Sequence, residues 1–328
     1  MANRVERIVS RLQQKITEGD YYEAQQQTRV AASRHIKTRN WPAAIDILAT
    51  VAQALLRAGQ GGSGGDLCVM LVDVYVQAQL KPDAESKGRL LTCLRLFEPG
   101  EPTRKRFISD MMSWSAKFGD YPAGEPELHH VVGSLYADEH EPYEAERHLI
   151  LGTKDSPEVL AKMEYSWYKE GDAHLAPQFA GRAILGYLLV GNLRAANNCH
   201  RVFTSALSSD NAGLGVQDVS SASCDLRIFP SLPLLNFLGL LLLTVPRGAP
   251  EIFRGLVGKY STLLNDVDGW PEALEQVAEL YFGISRPRQS NPLMDMMSGF
   301  FGGGAGGGGG SQRRGLRGVE APAPAGLD

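Results

Sequence analysis

Gln60-Gly61-Gly62-Ser63-Gly64-Gly65-Asp66-Leu67 (QGGSGGDL) admits three incompatible readings, and the fold class turns on which is taken. Gly61-x-Ser63-x-Gly65 matches the spacing of a serine nucleophile on a tight turn, and the glycine density suggests a phosphate loop. Both need a β-strand directly before them, because the strand end supplies the strain and the backbone amides. The residues before this stretch, Ile45–Arg57, instead place Ile45, Leu48, Ala52 and Leu55 on one stripe of a helix. Asp66 stands where a phosphate loop carries its lysine, and a carboxylate repels phosphate. What remains is a corner between two helices. Gly59 or Gly61 ends the first, and Asp66 is expected to cap a second running through Leu67, Met70, Leu71, Val74 and Ala78.

Helices extend outward from that corner. Val5, Ile8, Leu12 and Ile16 recur at helical spacing, and Gly19-Asp20 closes their helix. Asp20 is read as the cap of a second helix from Tyr21, and Asn40 as the cap of a third at Trp41-Pro42. The starts GDYYEA (19–24) and NWPAA (40–44) have weaker echoes at EPYEA (141–145) and GNLRAA (191–196). A turn residue, a large side chain and a small alanine suit stacked helical hairpins. LPLLNFLGLLLLTV (232–245) is shorter than the roughly 20 apolar residues of a spanning helix and reads as buried. Further helices are expected at Leu234–Leu243, Pro250–Leu264 and Pro271–Tyr281. Between residues 207 and 233 the chain is rich in Ser, Asp and Gly, with one β-like piece, Leu226-Arg227-Ile228-Phe229, that fits a small hairpin or a long connector. The fold class is therefore all-α, an α-solenoid of stacked helical hairpins like tetratricopeptide (TPR) repeats, with a small β-hairpin insertion in the C-terminal half. We divide it into an N-terminal helical half (1–150), a C-terminal half with the hairpin (151–301) and a Gly/Pro-rich tail (302–328), expected to be disordered because it cannot bury enough to order itself.

The chain has 328 residues and a formal charge of −4, which excludes a general nucleic-acid binder. The charge is uneven: residues 1–40 hold eight Lys/Arg and four Asp/Glu, a local +4. Cys68, Cys93, Cys199 and Cys224 lie far apart in apolar or helix-like contexts and read as reduced thiols of a cytoplasmic protein. Constellations that suggest catalysis or metal binding fail on spacing. His140-Glu141-Pro142-Tyr143-Glu144 has Glu where a zinc helix needs its second His, His129-His130 point in divergent directions on a helix, and Cys199-His200 has no second pair. No catalytic set, metal site or cofactor site is expected.

The feature that asks for a partner is a stripe of cations. Arg4, Arg7, Arg11 and Lys15 recur at spacings 3, 4 and 4, and like charges so placed do not stabilise a helix. Arg34 and Lys37 add to them from the second helix, and with Tyr22 form a surface suited to an acidic protein patch.

Several segments together resemble one family, the α-helical adaptor of the Golgi-to-ER-traffic pathway for tail-anchored membrane proteins. They are GDYYEAQQQTRVAASRH (19–35), QGGSGGDL (60–67), EPYEAERHLILGT (141–153) and PLMDMMSGFFGG (292–303), and the similarity spans residues 4–303. The resemblance implies a non-enzymatic bridge. Its N-terminal helices would hold the ATP-bound targeting ATPase homodimer through Arg11, Lys15, Tyr22, Arg34, Lys37 and Asp66, the last being free to tune ATP hydrolysis. Its C-terminal half would grip the N-terminal segment of a ubiquitin-like protein through Leu226, Ile228, Phe229, Leu234, Asn236, Phe237 and Leu238. Through that partner it would indirectly reach a TPR co-chaperone and the client-loaded chaperone, with neither nucleic acid nor direct membrane insertion involved. The alternatives are a solenoid subunit of another multiprotein complex, a hydrolase using Ser63, and direct client binding by Leu293, Met294, Met297, Phe300 and Phe301.

Overall fold

The computed structural model describes residues 2–219 and 227–285. Its N-terminal helices are α1 (Ala2–Thr17), α2 (Tyr21–Lys37), α3 (Trp41–Arg57), α4 (Gly61–Gln77), α5 (Ala84–Leu94), α6 (Pro102–Phe118) and α7 (Pro126–Asp138). They are followed by α8 (Pro142–Leu149), α9 (Ser156–Tyr168), α10 (Ala176–Leu189) and α11 (Leu193–Asp210). Strands β1 (Gln217–Asp218) and β2 (Arg227–Ile228) precede α12 (Pro233–Thr244), α13 (Pro250–Asn265) and α14 (Trp270–Phe282). The expected all-α solenoid is present. Sequence neighbours pair closely, α2 on α3, α3 on α4, α7 on α8 and α10 on α11, as helical hairpins joined by short loops do, and successive hairpins stack through helices two apart, α1 on α3, α4 on α6 and α9 on α11.

The turns, more than the helices, carry the repeat. Gly19, Arg39, Gly59 and Gln79, twenty residues apart, all have positive φ (88°, 55°, 71° and 51°). At Gly19 the amide donates to Ile16 O and the next amide, Asp20 N, donates to Lys15 O. The same bond pair recurs at Arg39, Gly59, Gln79, His140 and Gly191, which is the Schellman closure of a helix end. The residue after each positive-φ position thus completes the old helix. After every one of these turns but that at Gln79 it also opens the next. Asp20 and Asn40 hold cap positions as expected, but at ψ of 52° and 71° neither side chain makes a capping hydrogen bond. Asn192 does, accepting from Ala195 N at 3.0 Å.

QGGSGGDL resolves differently from its expected reading. Gly59, with φ 71°, ends α3, but the helix resumes at Gly61, so Asp66 lies inside α4 and is not its cap. The glycines serve packing. A Cβ on Gly64 would stand 2.7 Å from Leu56 Cγ, and one on Gly65 would strike the Thr103 side chain on α6. Gly133 on α7 repeats the arrangement against Leu149 on α8, again at 2.7 Å. The missing side chains let neighbouring helices approach, which a sequence pattern tuned to turns reads as a loop.

One hydrophobic core runs from Leu12 to Phe282, with Leu48, Leu71, Phe107, Leu149, Ile184, Phe203, Phe237 and Val277 along its length. Burying a leucine contributes about 1.5–3 kcal/mol, so the stack is held mainly by such stripes. Cys68, Cys93 and Cys199 are buried and free, while Cys224 lies outside the described residues. The hairpin is minimal: Gln217 pairs with Ile228 and Asp218 with Arg227, antiparallel. No helix among the described residues is long and apolar enough to cross a membrane. The 302–328 tail and the apolar set Leu293, Met294, Met297, Phe300 and Phe301 fall outside the described residues.

Candidate functional site: two docking surfaces

The N-terminal surface is assembled by α1, α2 and α4. The apolar stripe of α1 buries Leu12 and Ile16 against α3 and turns Arg11 outward. Arg11 Nη2 donates to Gln27 Oε1 at 3.4 Å, Gln27 Nε2 donates to Glu23 Oε1 at 2.7 Å, and Glu23 accepts Lys15 Nζ at 3.0 Å. Hydrogen bonding and charge from Lys15 hold the Glu23 carboxyl below the usual carboxylate range. Lys15 is therefore half-buried and already paired, whereas Arg34 and Lys37 are exposed in the last turn of α2. A helix C-terminus favours cations there. Tyr22, at the other end of α2, is 74% exposed.

Asp66 belongs to the same neighbourhood by a route that the sequence does not display. It is exposed on α4, and its Oδ2 accepts from Gln25 Nε2 at 3.0 Å. Gln25 is itself buried, 5% exposed, and Gln26 Nε2 donates to its Oε1 at 3.3 Å. A buried amide needs partners, and Asp66 Oδ2 supplies one to Gln25 of α2. Within the run Gln25-Gln26-Gln27 no pattern separates the amide that faces inward from the two beside it.

The second surface surrounds β2 and the start of α12. Asn236, the polar break in the apolar run, clamps Phe229: Phe229 N donates to Asn236 Oδ1 at 2.8 Å and Asn236 Nδ2 donates to Phe229 O at 2.9 Å. These two bonds imitate a strand pairing and fasten the hairpin's outgoing end to α12. Phe229, Phe237 and Leu238 are buried in the core, and Ile228, Leu234 and Asn236 are half-buried. Leu226 lies outside the described residues. Arg227 Nη1 donates to Ser205 Oγ at 3.0 Å, tying β2 to α11. Among the described residues no group of three or more His, Cys, Asp or Glu is placed to hold a metal ion.

A profile of the family described as "Golgi to ER traffic protein 4" matches residues 38–301. The chain belongs to the Golgi to ER traffic protein 4 family. Golgi to ER traffic protein 4 of Aspergillus fumigatus is 51% identical over all of this chain and 99% of its own length. The Schizosaccharomyces pombe protein of the same name is 34% identical over 86% of this chain and 91% of its own. A crystal structure of C. therm. Get4 is similar at 59% identity and a TM-score of 0.85, covering 97% of this chain and 100% of that one. The family profile begins after α1 and α2, and it includes β2 and α12.

Proposed function

We propose that this chain is a non-enzymatic cytoplasmic adaptor in the Golgi-to-ER-traffic pathway, where it links the ATP-bound targeting ATPase to a ubiquitin-like protein in the delivery of tail-anchored membrane proteins. Family membership supports the pathway. The observation that carries the docking role is the N-terminal surface: Arg11 on α1 and Arg34 and Lys37 in the last turn of α2 are exposed, Tyr22 at the opposite end of α2 is 74% exposed, and Arg34 and Lys37 are in no ion pair among the described residues. Such a face accelerates encounter with an acidic partner and loses affinity with salt. Lys15 contributes through its pair with Glu23, and Asp66, with an oxygen to spare, is the residue suited to restrain ATP hydrolysis by the partner. The ubiquitin-like protein's N-terminal segment would lie on Ile228, Leu234 and the exposed edge of Asn236, with Phe229, Phe237 and Leu238 supporting them from below.

Calorimetric titration of the full chain with the ATP-loaded ATPase tests this. The double reversal Arg11→Glu/Arg34→Glu is expected to weaken binding at least a hundredfold, about 2.7 kcal/mol, while the ubiquitin-like partner still binds. Unchanged affinity would show the cations to be a solvated surface only.

A further inference from the structure

Away from both surfaces, the turn between α7 and α8 and the outer face of α9 enclose a cavity of about 230 Å³. Met163 and Trp167, one helical turn apart on α9, form one wall, and Ala137 and Pro142 form the other. Glu170 and His140 stand on its rim. Tyr143, 63% exposed, meets Trp167 edge to face with ring centroids 5.4 Å apart.

This aromatic wall is held before anything binds. The Arg182 guanidinium lies 5.0 Å from the Tyr143 ring centroid and 4.9 Å from that of Trp167. It is fixed there by two parallel hydrogen bonds to the Glu146 carboxylate, Nη2 to Oε2 at 2.8 Å and Nε to Oε1. A planar fork so engaged is rigid. Preorganised aromatic and arginine side chains around a small pocket are the arrangement found where a few residues carry most of an interface's binding.

The charge around the pocket has one sign. Asp138, Glu141 and Glu170 are exposed and enter no ion pair among the described residues. The nearby cations are engaged: Arg182 by Glu146, Arg147 by Glu144, Lys162 by Glu158 and Lys169 by Asp210. We infer that this pocket docks a basic peptide segment of a partner protein, one aliphatic side chain seated between Met163 and Trp167 and flanking Lys or Arg residues meeting Glu141 and Glu170. A single pocket with a charged rim fits the small, transient class of interface.

The test uses the full chain with methionine methyl groups labelled with carbon-13, and assigns the Met163 signal by Met163→Leu. The probe is the blocked pentapeptide Lys-Arg-Leu-Arg-Lys. It is expected to move the Met163 methyl resonance saturably, whereas Lys-Arg-Ser-Arg-Lys and Glu-Asp-Leu-Asp-Glu leave it in place. The surface variant Glu141→Lys/Glu170→Lys, with its melting temperature checked against wild type, is expected to bind the probe at least tenfold more weakly. A motionless Met163 signal at millimolar probe overturns the proposal. So does an equal response to the serine peptide, or an affinity that the double variant leaves unchanged. A Met163 shift that follows protein concentration without peptide would assign the pocket to a second copy of the chain instead, and would also overturn it.

Discussion

Glu164 on α9 is wholly buried, and neither carboxyl oxygen has a hydrogen-bond partner. Arg182 Nε, its nearest cation, is 3.7 Å away and already committed to Glu146. Burial and then the Glu146 carboxylate push the Glu164 pKa up to about 10 from 4.5, with Arg182 opposing. Below pH 4.5 folded and unfolded chains both hold this proton. Between 4.5 and about 10 only the folded chain does, so stability falls as pH rises. His148 acts in the other direction. Burial, then charge from His129 and Arg147, lower its pKa from 6.5 to about 4, so stability is lost as pH falls through that window. Melting curves should therefore show Glu164→Gln gaining on wild type steadily from pH 6.5 to 9, and His148→Gln gaining between pH 6 and 4. A pH-independent difference would refute the buried-acid account. None of this is legible in the sequence, where Glu164 sits unremarked in AKMEYSWYKE. The cation stripe was legible because repulsion along one helix needs no tertiary information, but the Lys15–Glu23 and Gln25–Asp66 contacts that modify it join separate helices.

At the scale of the element, turn chemistry and glycine packing give opposite expectations for residues of similar appearance. Arg39, Gln79 and His140 hold a left-handed conformation that costs a side-chain-bearing residue about 1–2 kcal/mol. Gln79→Gly should raise stability by about 0.5–1 kcal/mol after the glycine's own entropy is counted, and Gly59→Ala should lower it; urea unfolding measures both. Within α4, a Cβ on Gly62 meets nothing within 4 Å, so Gly62→Ala should stabilise by about 0.5–1 kcal/mol. Gly65→Val forces α4 away from α6 and should destabilise by about 1–3 kcal/mol. Equal responses at 62 and 65 would mean the close approach is not real. The apolar run made α12 readable, and its observed limits exceed the expected Leu234–Leu243 by one residue at each end. The start of α4 was misplaced because a Gly-rich run signals a turn and a tight helix contact alike, and only the neighbours at Leu56 and Thr103 separate them.

Across the whole molecule, stability is passed between neighbouring helices along one continuous core. A stack of this kind loosens from its ends. Amide hydrogen exchange should find α1, covered chiefly by α2 and α3, opening well before α3 and α4, whose shared contact is the most extensive among the described helices. Uniform protection from α1 to α4 would contradict this. The architecture as a class was readable from length, helical stripes and the recurring helix starts, whereas the equal spacing of the turns was hidden because glycine fills only some of them. Those turns have a bearing on how the molecule can diverge. Their closure runs through main-chain bonds, and at Asp20, Gln60 and Glu141 the side chain caps nothing. Such positions can be rewritten from lineage to lineage with the scaffold intact. Glu141, between the pocket-lining His140 and Pro142 in sequence, is one of them, so the charge beside the aromatic pocket can drift while the architecture is inherited unchanged.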